Sequence, residues 1–186
     1  MTLDNASKNS FVYDFEGYLG STTVYNIILS VRDIKYKFLL ALLNSKLLTF
    51  YHQNNTIPQA GGFYRYQAIF IKDLPIKKSK NQELYELIIQ FILCSKKQNF
   101  DSTFFERLID AMVYELYFPD EIKAAGAEVL KHLTKLPELK DEQSDEVKLA
   151  IIDKVYKELS DPKHPISQAM FCMEAVEEVR IIEGKE

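Results

Sequence analysis

The chain has 186 residues, 47% of them hydrophobic, which is enough to bury a core and argues against disorder. No apolar run approaches the roughly 20 residues of a membrane span, and residues 1–10 lack the apolar stretch of a signal peptide. The net charge of −4 hides a split: residues 1–80 carry ten Lys/Arg against five Asp/Glu, and the other 106 carry thirteen against twenty-two.

A basic half joined to an acidic half points to a polyanion partner for the first, although solvated helix faces can give the same count. The two cysteines, Cys94 and Cys172, form no Cys-x-x-Cys pair and read as reduced and intracellular, so a cytoplasmic location is expected. His52, His132 and His164 show no metal-ligand spacing.

In chain order, residues 11–30 predict β-structure. Phe11-Val12-Tyr13 precedes a turn region around Gly17, and Ser21 to Leu29 is rich in β-branched and aromatic residues. A single helix is predicted over residues 36–51. At about 100° per residue, Tyr36, Leu39, Leu40, Leu43, Leu47, Phe50 and Tyr51 fall in one stripe, and Phe38 and Leu42 form a weaker second face. Lys37, Asn44 and Lys46 lie near the stripe's edges.

Residues 54–62 predict a loop, with Pro58 and the Gly61-Gly62 pair. A strand over residues 63–71 would put Phe63, Arg65, Gln67, Ile69 and Ile71 on one face and Tyr64, Tyr66, Ala68 and Phe70 on the other. Pro75 ends it, and residues 77–80 form a basic linker.

Beyond that, apolar spacing predicts helices over residues 82–97 and 102–117, then one capped by Asp120 and running to Leu133. Another opens at Ser144 with Val147, Ile151 and Val155 inward, and a last one spans residues 166–173. Val179 to Ile182 reads as a terminal strand.

Two stretches carry a resemblance. One is Phe38-Leu39-Leu40-Ala41-Leu42-Leu43-Asn44-Ser45-Lys46-Leu47-Leu48-Thr49-Phe50-Tyr51. The other is Gly61-Gly62-Phe63-Tyr64-Arg65-Tyr66-Gln67, closing on Ile71-Lys72-Asp73-Leu74-Pro75-Ile76. Together they resemble the end of the TaqI-like C-terminal specificity domain of adenine-N6 DNA methyltransferases and the related Type IIG (Eco57I-like) restriction-modification enzymes. Residues 105–117 resemble the C-terminal extension of such enzymes.

The resemblance implies target recognition. Duplex DNA is clamped against a separate methyltransferase domain and its bases are read, while the target adenine is flipped into the other domain. The chain departs from the complete pattern. It has no Asn-Pro-Pro-Tyr motif and no Gly-rich cofactor loop after a strand, and it is expected to lack the first half of the specificity domain. It is therefore expected to be a non-catalytic C-terminal piece. S-adenosylmethionine, with Mg2+ for cleavage, would belong to the complete enzyme, and no cofactor is expected in this chain.

Candidate DNA contacts follow from side-chain chemistry. Arg65 matches the two acceptors of guanine, and Gln67, on the same predicted face, matches adenine. Lys46, with Asn44 and Ser45 on the helix rim, offers phosphate contacts or only a solvated edge. The Tyr64 hydroxyl, the Thr22 and Thr23 hydroxyls, and Lys72 are further candidates, each set against packing, strand propensity or a solvated linker. Two Glu-x-Lys spacings, Glu121-Ile122-Lys123 and Glu183-Gly184-Lys185, read as surface charge rather than a metal-dependent nuclease.

The expected fold is α+β: a small mixed sheet with a packed helix in residues 1–80, then a mainly α-helical region in residues 81–186. The expected function is sequence-specific duplex DNA recognition beside an upstream methyltransferase domain or subunit. The alternative is a protein-interaction module that docks a methyltransferase or restriction partner through the acidic helices.

Overall fold

A computed structural model describes residues 1–30, 32–133 and 136–185. The chain divides into two compact units, Met1–Lys80 and Asn81–Glu186. The first is α+β and the second is built from helices.

Among the described residues, the first unit holds five very short strands. β1 (Thr2–Leu3) pairs with β3 (Val24–Tyr25). β2 (Asn5–Ala6), β5 (Phe63–Arg65) and β4 (Pro58–Gln59) form a second sheet in the order β2-β5-β4. All pairing among the described residues is antiparallel, so the expected mixed sheet resolves into two antiparallel ones. The β-rich look of residues 11–30 yields only β3, because the first ten residues supply the strands that pair. Phe11-Val12-Tyr13 forms no strand, although Met1 and Val12 exchange two backbone hydrogen bonds of 2.8 Å.

The predicted helix over residues 36–51 is real but broken. α1 (Tyr36–Leu43) buries every residue from Phe38 to Leu43, so it is the core of this unit rather than its cover. α2 (Lys46–Asn55) starts afresh at Ser45. The Ser45 hydroxyl donates to the Leu42 carbonyl at 2.7 Å and accepts from the Leu48 amide at 3.2 Å. An N-cap geometry of this kind competes with helix continuation.

The break is a docking point for the N-terminal segment. Asn9 Nδ2 donates to the Leu43 carbonyl at 2.5 Å, filling an acceptor that the end of α1 leaves open. The Asn44 side chain accepts from the Phe11 amide at 2.8 Å and donates to its carbonyl at 2.9 Å.

The predicted strand over residues 63–71 stops at Arg65. Ala68–Ile71 forms a one-turn helix, α3, in which the amides of Phe70 and Ile71 bond the Gln67 carbonyl. Period-two alternation continued past residue 65 in the sequence, but β5 has partners only as far as β2 and β4 reach.

In the second unit, α4 (Gln82–Lys97) and α5 (Thr103–Tyr117) form a helical hairpin. Tyr85, Ile88 and Phe91 of α4 and Phe105, Leu108 and Met112 of α5 are fully buried. The Phe91 and Phe105 rings meet edge-on at 5.4 Å. The Tyr85 hydroxyl donates to the Met112 carbonyl at 2.7 Å, so the buried phenol keeps a partner.

α6 (Pro119–Ala124) is shorter than predicted. Pro119 opens it, and Phe118, not Asp120, stands at its cap. The Glu115 carboxylate then accepts from the amides of Val129 and Leu130, at 2.6 and 2.9 Å. α7 (Asp145–Leu159) is capped by Ser144 as predicted, but its inward residues are Ile152, Val155 and Leu159, while Val147 is exposed. α8 spans Pro165–Met173. Glu177–Glu183 is a helix, α9, and not the strand read from its apolar run; Val179 alone is buried there.

Replacing Tyr66 by Phe tests the polar anchoring of the first unit. The Tyr66 hydroxyl donates to Asn9 Oδ1 at 2.8 Å in a buried site. Its removal strands that oxygen and should cost about 1–3 kcal/mol, measured as a lower urea midpoint of the full chain with an unchanged slope.

Candidate nucleic-acid interface

The predicted contact residues meet different fates. Arg65 ends β5, half-buried, and its guanidinium makes no hydrogen bond or ion pair among the described residues. Its backbone is held firmly. The Arg65 carbonyl accepts from His52 Nε2 at 2.9 Å and from the Thr56 hydroxyl at 3.0 Å. Because Nε2 faces a carbonyl oxygen, it carries the ring proton and donates.

The His52 ring lies flat on Tyr66, with centroids 4.1 Å apart and planes 18° apart. Phe11 meets Tyr66 edge-on at 6.1 Å. Tyr66 and His52 are both buried, so the reverse side of the strand end is clamped while the Arg65 head stays available.

Register defines the outward face. Directly opposed residues of an antiparallel pair share a side. Asn5 opposes Arg65, and Gln59 opposes Phe63. Asn5, Arg65, Phe63 and Gln59 therefore share one side, with Asn5 and Phe63 exposed and the other two half-buried. Tyr64 lies on the opposite side with the buried Ala6, so its ring belongs to packing.

The hairpin between β4 and β5 turns at Gly61 and Gly62, with φ of +79° and +77°. A Cβ on Gly62 would meet nothing within 4 Å. Backbone conformation, not crowding, is what calls for glycine there.

Gln67 follows the strand, half-buried, as the residue before α3. Lys72 is exposed at the end of α3. Lys46 is exposed at the first position of α2, about 9 Å along the helix axis from His52 at 1.5 Å per residue. Asn44 and Ser45 are engaged by the fold: Asn44 braces Phe11, and Ser45 is buried as the α2 cap. Thr22 and Thr23 are exposed in the turn before β3, which belongs to the other small sheet. The basic residues 77–80 include an ion pair, Lys78 with Asp33, at the surface.

Sequence reasoning passed over Asn5 and Gln59, because their pairing with residues 63–65 is set by the fold. It also passed over His52, whose spacing on α2 offered no sign of its carbonyl partner. The Glu-x-Lys spacings show no metal geometry. Glu121 and Lys123 lie on α6, and Lys185 binds Glu183 at 2.9 Å. No cluster of three His, Cys, Asp or Glu suited to a metal exists among the described residues. No described helix is long and apolar enough to cross a membrane.

A sheet face of Arg65, Asn5, Gln59 and Phe63, two of them exposed and two half-buried, clamped from behind and carried on a basic unit, has the composition of a base-reading surface. Comparison with known proteins adds to this: residues 2–76, nearly the whole of the first unit, match the TaqI-like C-terminal specificity domain.

The chain is also 30% identical, over 118 residues, to a protein of Methanocaldococcus jannaschii described as a type II restriction enzyme and methyltransferase. That match covers 60% of this chain, more than the first unit's 80 residues, so part of it falls in the helical unit. The chain spans about a tenth of that relative's length. No solved structure matches it.

His52 gives the first unit a pH signature. Burial lowers its pKa from the ordinary 6.5. As pH falls below that value, the unfolded ring protonates before the folded one, so stability is full above it and declines below. His52→Gln retains an amide donor and does not titrate. It should therefore lose less stability than wild type between about pH 7.5 and about pH 5.5, read from urea midpoints.

Proposed function

We propose that this chain is the DNA-reading part of an adenine-N6 DNA methyltransferase or Type IIG restriction-modification enzyme, acting in the cytoplasm. Its partners are double-stranded DNA and a methyltransferase domain or subunit. The observation that carries this reading is Arg65: an unpaired guanidinium on an outward strand face, its backbone fixed by His52 and Thr56, within a segment that matches a specificity domain. The ten Lys/Arg against five Asp/Glu of residues 1–80 supply the long-range attraction to a polyanion.

The chain itself carries no catalysis in this reading. Its residues do not fit S-adenosylmethionine or a catalytic Mg2+: it lacks a Gly-rich turn after a strand and, among the described residues, a metal-suited carboxylate cluster. Those groups belong to the complete enzyme, and its chemistry is not routed through this chain. What the chain does is position the duplex and discriminate bases. Lys46, Lys72, Thr22 and Thr23 serve as outlying phosphate contacts, and Gln67 as a contact next to Arg65.

Arg65→Ala separates the roles. A guanine-reading arginine should cost about 1–3 kcal/mol of binding and relax one position of the site. A phosphate contact should weaken all sequences alike and make the salt dependence shallower. Competition across single-base variants, with a thermal melt of each protein, reads the difference. A normally folded variant with unchanged affinity, salt slope and base preference would remove Arg65 from the interface. Duplex binding by wild type that is absent or indifferent to salt would favour docking of a protein partner instead.

A further inference from the structure

We infer that Asn5 is a second base-reading residue, and that it reads an adenine in the base step beside the one read by Arg65. This rests on the DNA-recognition reading above and deepens it.

The register places Asn5 directly across from Arg65 on the same side of the sheet. Opposed side chains of such a pair start about 4.5–5.5 Å apart at Cβ. Successive base pairs rise about 3.4 Å. Starting that close, the two heads can reach neighbouring base pairs. Asn5 is exposed, so its amide is open to a ligand.

The amide is also oriented. Asn5 Nδ2 donates one hydrogen to Asp4 Oδ2 at 3.1 Å. That contact uses one N–H; the second N–H and the carbonyl oxygen make no hydrogen bond among the described residues, which leaves one donor beside one acceptor. Adenine presents the matching pair in the major groove, N7 to accept and N6–H to donate. Guanine offers two acceptors there, which suit the Arg65 fork and not the amide.

Asp4 is fixed in turn by its own backbone. Its amide bonds the Thr23 carbonyl at 2.9 Å, and its carbonyl accepts from the Tyr66 amide at 2.7 Å. A carboxylate facing a phosphate would repel it, so an acid beside the reading face fits orientation of Asn5 and not backbone contact.

The test is selection of duplexes from a randomised library by the full chain, wild type, Asn5→Ala and Arg65→Ala, with thermal melts of each. Asn5→Leu serves if the alanine variant fails to fold. The expected result is a preferred site with a guanine next to an adenine. Arg65→Ala should relax the guanine, and Asn5→Ala should relax the adenine alone, by roughly 5- to 150-fold. If Arg65→Ala relaxes a position but folded Asn5→Ala and Asn5→Leu keep the wild-type preference, the Asn5 assignment is overturned and the recognition reading stands. Uniform weakening by Asn5→Ala across all sequences also overturns it. If wild type selects nothing, the recognition reading itself fails; if wild type selects a site that folded Arg65→Ala leaves unchanged, Arg65 leaves the interface and the Asn5 assignment, which is placed by it, is overturned with it.

Discussion

A buried polar chain running from Asn9 through Tyr66, with His52 stacked on its ring, governs the first unit. Asn9 holds the end of α1 through the Leu43 carbonyl and receives the Tyr66 hydroxyl. Tyr66 supports the His52 ring, and His52 holds the Arg65 carbonyl. Residues 43, 9, 66, 52 and 65 are thus tied by contacts between segments far apart in sequence. Each hydrogen-bonded link is enforced by the cost of leaving a buried donor or acceptor unpaired, about 1–3 kcal/mol per group, and the His52–Tyr66 link is a ring stack. Any rearrangement that frees Arg65 from its place must break several of these at once.

Much of the helical architecture was legible in the sequence because its cause is local. The apolar stripe of residues 82–97 gives α4 with the same limits, and Ser144 caps α7 where its side chain chemistry says it should. The break in the first helix was not legible. Asn44 and Ser45 interrupt an otherwise continuous apolar pattern, and only the tertiary partners show the cause. Phe11 occupies the Asn44 amide, and Asn9 occupies the Leu43 carbonyl. The apolar run Val179 to Ile182 failed for the opposite reason. Four residues fit either period, and preceding Glu177 and Glu178 suit the first turn of a helix.

The site was half legible. Arg65 and its two glycines stand out locally, and the structure keeps the guanidinium on an outward face. Its neighbours on that face come from residues 5 and 59, at separations that no periodicity reports. Asn44 shows the converse. A polar residue at a helix rim resembles a contact residue, yet both ends of its amide are bonded to one backbone residue. Side-chain chemistry alone cannot distinguish a polar group available to a ligand from one already serving as a brace.

The strands themselves are two or three residues long, and sheets of that size cannot fix their own register. A slip of one residue would turn Arg65 toward the core and Tyr66 toward solvent. Here the alternation is locked at both parities. Tyr66, fully buried, must point inward to reach Asn9 and His52, so Arg65 must point outward. The Arg65 carbonyl meanwhile is held in the plane by His52 and Thr56. Recognition of a base edge needs placement within about half an ångström, which a loose three-residue strand would not supply. The small sheet contributes the direction of the outward side chains, and the buried polar stack beneath it contributes the precision that the proposed reading requires.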